Sequence, residues 1–273
     1  MLPLWRDRIS VEFSPHSVAW VRLARGLHLD VVAKGQENVL PQTGEPVWQA
    51  ALLKLKQMMP GEEWKNAEVT VVLSNHFVRY DCLSWNEAVD DEDEQLALAR
   101  HRLTQTYGPA AQTWALRLSP AGKGDARLVA AVDDALLEML KQAMAEAGIK
   151  LHSIQPYLMA SFNRYAKSLA QGDGWFVAAE VGRFAMALFR GGRWQRILLR
   201  RGDDMAALHE WLERENLTGG EGASCREVFL FAPGLPRDAV LPSYHLHRLE
   251  LPACQGYSPI TDVQYAIAMS GVA

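Results

Sequence analysis

Two histidines on one predicted strand have the residue type and spacing that metal chemistry requires. His245 and His247 are separated by one residue, so both side chains point to the same face of a strand. A zinc site needs three or four ligands. The only further carboxylate nearby is Glu250, which has the opposite parity along the strand. The sequence therefore predicts no metal site, and indicates a surface or core pair of histidines instead.

Two carboxylates hold corresponding places in an internal repeat. Glu12 and Glu180 lie at the carboxyl ends of the first strands, 9–13 and 175–180, of two predicted β-β-β-α units over 9–59 and 175–216. The two glutamates are 168 residues apart. Two turns recur at offsets of 165 and 167 residues: Arg25-Gly26 with Arg190-Gly191, and Lys34-Gly35 with Arg201-Gly202. Repetition at a fixed offset predicts a duplicated α/β protein with two similar halves. A ligand of such a protein usually lies between its halves.

The composition is that of an ordinary globular protein. The chain has 273 residues, of which 49% are apolar and 22% charged, and this length can bury a large core. Its 28 basic and 32 acidic residues give a net charge of −4, which argues against a nucleic-acid partner. The longest apolar run, Phe184–Phe189, is far shorter than the roughly 20 residues of a membrane span. Three widely spaced cysteines and no visible signal peptide predict a cytoplasmic protein.

Between the two repeats the sequence alternates strands and helices. Ala67–Leu73 and Phe77–Leu83 predict a hairpin, and 91–106 predicts a helix. Residues 260–272 predict a final helix. Six arginines between 183 and 201 form a basic zone, which indicates either a surface for anionic lipid or a partner, or a solvated face.

Several stretches resemble the actin-like PilM, GspL and MshI family. Residues 9–24 are similar to its first phosphate strand and the strand that follows, and Val177–Gly182 resembles its second phosphate strand. Leu128–Ile154 resembles a strand, helix and strand from the middle of PilM, and Asp262–Gly271 resembles the closing helix. Because these stretches follow the family's order, the resemblance covers most of the chain.

The resemblance implies a fold of two ribonuclease-H-like halves, as in actin-like ATPases. It implies a first half at 1–170 with an inserted subdomain at about 66–119, completed by a closing helix at 260–273. The second half is then 171–259. It also implies a role in the inner-membrane assembly platform of type IV pili or type II secretion, where PilM binds the short cytoplasmic tail of the membrane protein PilN.

The resemblance places a nucleotide site that this sequence has eroded. Its positions here are Glu12, Ser14, Glu180, Gly182, Arg183 and Gly234. Glutamates replace the family's aspartates, Ser14 replaces a glycine, and Pro15 removes a backbone N–H. Ala232-Pro233 replaces the Gly-Gly of the adenosine turn, and Arg183 follows Gly182 where Ser or Thr is usual. The sequence therefore predicts a degenerate site with no catalytic residues and no cofactor, ATP with Mg²⁺ being the one candidate ligand.

These inferences predict a non-enzymatic adaptor in the cytoplasm. It would be held at the inner membrane by a PilN-like bitopic protein. The alternative is an actin-like ATPase or small-molecule kinase that uses Glu12 and Glu180, although the sequence identifies no catalytic base for it. A cytoplasmic assembly ATPase and a second copy of the chain are further candidate partners. The adaptor would bind its partner in a groove between the first half and the insertion. Its candidate contacts, which could equally fill the insertion's own core, are aromatic: Phe77, Tyr80, Trp85 and Tyr107.

Overall fold

A computed structural model describes residues 6–26, 28–89, 91–169, 172–218 and 225–272. Its strands are β1 Asp7–Phe13, β2 Ser17–Leu23, β3 Val31–Asn38, β4 Ala67–Leu73, β5 Val78–Leu83, β6 Trp114–Leu118, β7 Arg127–Asp133, β8 Lys150–Pro156, β9 Gly174–Glu180, β10 Arg183–Arg190, β11 Arg193–Arg201, β12 Glu227–Phe231 and β13 His245–Arg248. Its α-helices are α1 Gln49–Met58, α2 Glu92–Tyr107, α3 Asp134–Glu146, α4 Tyr157–Leu169, α5 Met205–Thr218 and α6 Ala266–Ser270.

Two five-stranded sheets have the same topology. Their orders are β3-β2-β1-β4-β8 and β11-β10-β9-β12-β13. In the first sheet β3, β2 and β1 form an antiparallel meander, and β4 and β8 run parallel to β1. In the second sheet β11, β10 and β9 form the same meander, and β12 and β13 run parallel to β9. A helix follows each three-strand meander, α1 in the first repeat and α5 in the second. The duplicated α/β fold predicted from the repeat offsets is therefore confirmed.

The chain divides into two compact units. The first comprises Met1–Phe77, Ala135–Arg164 and Glu250–Ala273 and holds the first five-stranded sheet. The second comprises Val78–Asp134 and Tyr165–Leu249 and holds the other five-stranded sheet. A third sheet, of order β5-β7-β6, also lies in the second unit.

The core of the second unit lies between its five-stranded sheet and α5. Strand β10 reads RFAMALFR and is buried on both faces except at its terminal arginines, as a central strand covered on both sides requires. Phe184 and Met186 pack there with Leu208 and Leu212 of α5, and all four are fully buried. Only the terminal arginines of β10, Arg183 and Arg190, are therefore partly exposed.

The predicted hairpin of Ala67–Leu73 with Phe77–Leu83 is wrong. Strand β4 lies between β1 and β8 and is parallel to both, while β5 pairs antiparallel with β7. The apolar end of β4 is buried on both faces, so it belongs in a sheet centre. The three-stranded sheet starts at Val78 and ends at Asp133, so its limits differ from the predicted insertion at 66–119.

The closing helix is shorter than predicted over 260–273. A 3₁₀ turn at Val263–Tyr265 leads into α6, which ends at Ser270. Asp262 holds the chain in a turn before it, because its carboxylate accepts from the N–H of Ser258 and from Lys34 Nζ. In the described residues, no helix is long and apolar enough to span a membrane.

Candidate functional site

The first candidate turn, between β1 and β2, is closed by its own hydrogen bonds. The N–H of Ser14 donates to the carbonyl of Ser17 at 3.0 Å. Ser14 Oγ accepts from the N–H groups of His16 and Ser17, at 3.3 and 3.0 Å. Pro15 has no N–H to offer. Because every backbone donor from Ser14 to Ser17 is absent or engaged within the turn, this loop cannot cradle a phosphate as a glycine-rich loop does.

Glu12 lies on β1, just before this turn, and is only 6% exposed. Its Oε1 accepts from the hydroxyl of Ser17 at 3.1 Å. Its neighbours in register are Ala19 of β2 and Val72 of β4. Buried polar groups need hydrogen-bond partners, and Ser17 is one that this carboxylate has. Ser17 therefore connects Glu12 and Ser14 in one hydrogen-bond network, because its hydroxyl donates to Glu12 and its N–H donates to Ser14 Oγ.

The second candidate turn connects β9 to β10 and belongs to the second unit. Gly182 has φ +71°, a conformation that favours glycine, and a Cβ there would meet no heavy atom within 4 Å. Glu180 and Arg183 face each other across the turn. Burial lowers the pKa of Arg183, and the neighbouring Arg79 guanidinium lowers that pKa further.

Gly234 lies in the turn that follows β12, at the same end of the sheet as Glu180. Strands β9 and β12 are parallel and paired, with Phe231 opposite Ala178. The N–H of Leu235 closes a turn onto the carbonyl of Ala232 at 3.2 Å. Arg248 donates from Nη2 to the carbonyl of Pro236 at 2.5 Å. The structure thus brings Gly234 to the carboxyl edge of the sheet, and Arg248 anchors the loop that follows.

The four aromatic candidates have different environments. Phe77 is 9% exposed and its ring centroid lies 5.5 Å from that of Phe13, while Tyr80 on β5 is 7% exposed. Trp85 is half-buried and lines a small cavity with Leu83 and Leu98. Tyr107 is 41% exposed at the end of α2, with its ring 5.3 Å from that of Trp114. Phe77 and Tyr80 are therefore core residues, which leaves Trp85 and Tyr107 with accessible ring surface.

The predicted histidine pair has a carboxylate that its local sequence did not indicate. Glu227 of β12 contacts His245 Nδ1 and His247 Nε2, each at 2.6 Å. Glu227 is parallel-paired with His245 and lies 18 residues away in sequence, which is why only the tertiary structure reveals it. Among the described residues, no group of three His, Cys, Asp or Glu side chains has metal-binding geometry.

Glu227 makes the histidine pair a pH-dependent contact. The hydrogen bond with His247 is the largest cause that lowers the pKa of the Glu227 carboxyl below 4.5, and the hydrogen bond with His245 is the second. A depressed carboxyl pKa contributes stability above the unfolded-state value, and that stability is lost as the pH falls through the folded-state value. We expect Glu227→Gln to lower the free energy of unfolding by under about 1 kcal/mol at pH 6, because all three side chains reach solvent. Urea unfolding at pH 6 and pH 3 checks this, since the difference should be smaller at pH 3 than at pH 6, and a difference that does not fall with pH would contradict it.

The loss of phosphate-binding donors at the first turn predicts that ATP with Mg²⁺ does not bind. We expect saturating ATP and Mg²⁺ to leave the melting temperature unchanged within about 1 °C, because only a ligand that binds the folded state raises it. We also expect no turnover above background. Calorimetry that gave micromolar affinity, lost in both Glu12→Ala and Glu180→Ala, would contradict this prediction.

Sequence reasoning missed two residues at these turns. Arg79 on β5 lies beside Arg183, and its guanidinium is 5.9 Å from the Tyr107 ring. Arg201 was visible in the basic zone and in a repeated turn, but not as a neighbour of Arg183, which it faces across β10 and β11. Of the zone's other arginines, Arg193 pairs with Asp125 and both Arg196 and Arg200 pair with Glu215. The zone is therefore not one continuous basic face.

Comparison with known proteins identifies the fold through solved structures. No protein-family model and no curated protein matches the sequence. The PilM-PilN type IV pilus biogenesis complex matches with TM-score 0.66 and 15% identity, over 96% of this chain and 96% of that chain. The cytoplasmic domain of EpsL, an inner-membrane component of the type II secretion system of Vibrio cholerae, matches with TM-score 0.60 and 12% identity, over 97% and 94%.

A third similar structure bears on the fold name. A Bacteroides thetaiotaomicron protein with an actin-like ATPase fold and unknown function matches with TM-score 0.58 and 9% identity, over 84% of each chain. At such low identities these likenesses show the fold alone. The predicted actin-like fold and the predicted resemblance to PilM are confirmed, and the cytoplasmic domain of EpsL shares this fold.

Proposed function

We propose that this chain is a non-enzymatic, cytoplasmic adaptor in the inner-membrane assembly platform of a type IV pilus or type II secretion system. It would bind the cytoplasmic tail of a PilN-like bitopic membrane protein and reach the membrane through that protein. The observation that carries the proposal is the likeness to the PilM-PilN complex over 96% of both chains. The first candidate turn supports the non-enzymatic part, because Ser14 and Pro15 leave it without phosphate-binding N–H groups.

The three-stranded sheet offers a surface for such a tail. In the described part of the chain β6 is bonded to β7 and has no strand on its other side. An exposed edge can accept an extended peptide through backbone hydrogen bonds, and neighbouring pockets give side-chain specificity. Trp114 begins this strand, and the exposed ring of Tyr107 lies 5.3 Å from it. Aromatic anchors of this kind supply much of the energy of small interfaces.

Co-purification with a PilN-like bitopic protein tests the adaptor function. We expect a complex with the full-length bitopic protein and none after deletion of its cytoplasmic tail. A complex that survives tail deletion, or one that never forms, would overturn the proposal.

Tyr107→Ala should weaken the complex about tenfold, because truncating an anchor typically costs more than 1 kcal/mol. Leu217→Ala is the control, since Leu217 is 83% exposed on α5, which packs against the five-stranded sheet. Equal weakening by both variants would place the tail elsewhere.

A further inference from the structure

The free edge of β6 presents backbone groups that can bind an extended peptide. The N–H of Ser119, just after the strand, donates to the carbonyl of Leu128 of β7 at 2.8 Å. Because alternate residues of an antiparallel strand bond to its partner, Leu116 and Leu118 direct their N–H and C=O groups away from β7. Their side chains pack on the apolar core that α2 shares with this sheet. A strand added at this edge would therefore place alternate side chains beside that core.

The two ends of this edge differ in chemistry. At the start of β6, the ring of Tyr107 lies 5.3 Å from that of Trp114, so this end is aromatic. The other end of β6 lies beside the start of β7, because the two strands are antiparallel. Arg127 of β7 and Gln95 of α2 line one cavity there. The first turn of α2 is therefore at the same end of the sheet as the last residues of β6.

The end of the sheet beside the first turn of α2 is acidic. In the described part of the chain, five exposed carboxylates there have no lysine or arginine partner: Glu87, Asp91, Glu92, Asp93 and Glu94. We call these five residues the acidic end. A helix N-terminus carries about half a positive charge, which neutralises only part of this charge. Lys123 and Arg127 are the cations of the adjoining loop and strand, so negative charge is in surplus.

We propose that the β6 edge binds the tail of the bitopic protein with one polarity. The part of the tail far from the membrane contacts Tyr107 and Trp114, and a basic part next to the membrane span contacts the acidic end. This inference rests on the proposed function. Cytoplasmic segments that flank a membrane span are enriched in Lys and Arg, and complementary charges orient a partner on its surface. The charge surplus at one end of the edge therefore sets the direction of the tail.

The dimensions of α2 set the length of the bound segment. This helix runs the length of the sheet, from Glu92 to Tyr107, and has 16 residues. At about 1.5 Å per residue, its two ends are about 22 Å apart. An extended chain of about seven residues spans that distance, at about 3.3 Å per residue. The tail should therefore contain an alternating apolar segment of this length, followed towards the membrane by lysines or arginines.

Isothermal calorimetry with a synthetic tail peptide of a PilN-like protein tests the polarity. One altered peptide has Gln in place of the Lys and Arg residues next to the span, and another has Ala in place of an apolar residue far from it. We expect the double variant Glu92→Gln/Glu94→Gln to bind the unaltered peptide about fivefold more weakly, as for two exposed charge pairs. This variant should cause no further loss with the peptide that lacks basic residues, because their coupling is already removed. Tyr107→Ala should show the same non-additivity with the other altered peptide.

A charge reversal outside the helix separates binding from the stability of α2. Glu87 precedes α2, so Glu87→Lys leaves the helix dipole and its own carboxylates intact, and we expect about fivefold weaker binding. Glu210→Lys is the matched control, since Glu210 is an exposed carboxylate on α5. It should change the affinity by less than about twofold, because screening limits charge effects to about 10 Å. Thermal melts confirm that each variant folds.

Each contrary outcome is distinct. If the peptide binds the intact protein and the acidic-end variants equally well, the polarity is overturned and the adaptor function stands. Equal weakening by Glu87→Lys and Glu210→Lys means diffuse attraction and also overturns it. Non-additivity of Tyr107→Ala with the basic residues of the peptide means that the tail runs in the opposite direction. A peptide that does not bind the intact protein overturns the proposed function and this inference together.

Discussion

Replacing Tyr80 by alanine is expected to lower the free energy of unfolding by about 3 kcal/mol, because truncating a buried aromatic ring leaves a cavity. Tyr80 is 7% exposed on β5, where it pairs with Ala130 of β7. Tyr107→Ala should cost about 1 kcal/mol or less, since that ring is 41% exposed and loses mainly its contact with Trp114. Urea unfolding of both variants measures the difference.

Comparing the Tyr80→Ala and Tyr107→Ala variants distinguishes a residue of the core from a residue that binds a partner. Tyr80→Phe is the control, because it keeps the ring and should retain most of the stability. If Tyr80→Ala unfolds like the unmodified protein, its ring is not part of the core. For Tyr107 the adaptor proposal predicts the opposite result. Tyr107→Ala should weaken tail binding and change the melting temperature little.

Replacing Glu215 by alanine is expected to cost about 2 kcal/mol, because two guanidiniums lose their shared counter-charge. Glu215 has a side chain only 6% exposed, and it accepts from Arg196 at 2.9 Å and Arg200 at 2.7 Å. The cost is below that of a fully buried pair because both arginines reach solvent. Thermal and urea unfolding check the value.

Glu138→Ala is the matched control for Glu215→Ala. Glu138 pairs with Lys141 one turn along α3, and both side chains are more than half exposed. Surface pairs of this kind contribute about 0.5 kcal/mol. Equal costs for the two variants would show that the ion pairs of Glu215 on α5 with Arg196 and Arg200 on β11 stabilise the fold no more than a surface pair does.

The sequence determined the repeated part of the fold. The meanders β1–β3 and β9–β11 follow from local signals, namely alternating apolar residues, turns rich in Gly and an amphipathic helix after each. These signals act between neighbours in sequence, so their offsets could be read without a structure. The sequence also determined which phosphate-binding features are missing, because the absence of an N–H at Pro15 is a property of the residue itself.

Only the tertiary structure decided the partners of elements distant in sequence. The apolar run of β4 is compatible with a hairpin or with a central parallel strand, and its burial between β1 and β8 chose the second. The same holds for side chains: Glu227 meets His245 and His247 through a parallel pairing, and Arg79 reaches Arg183 because β5 lies in the second unit with β10. Long-range pairing depends on the burial of whole faces, which no local pattern of residues encodes.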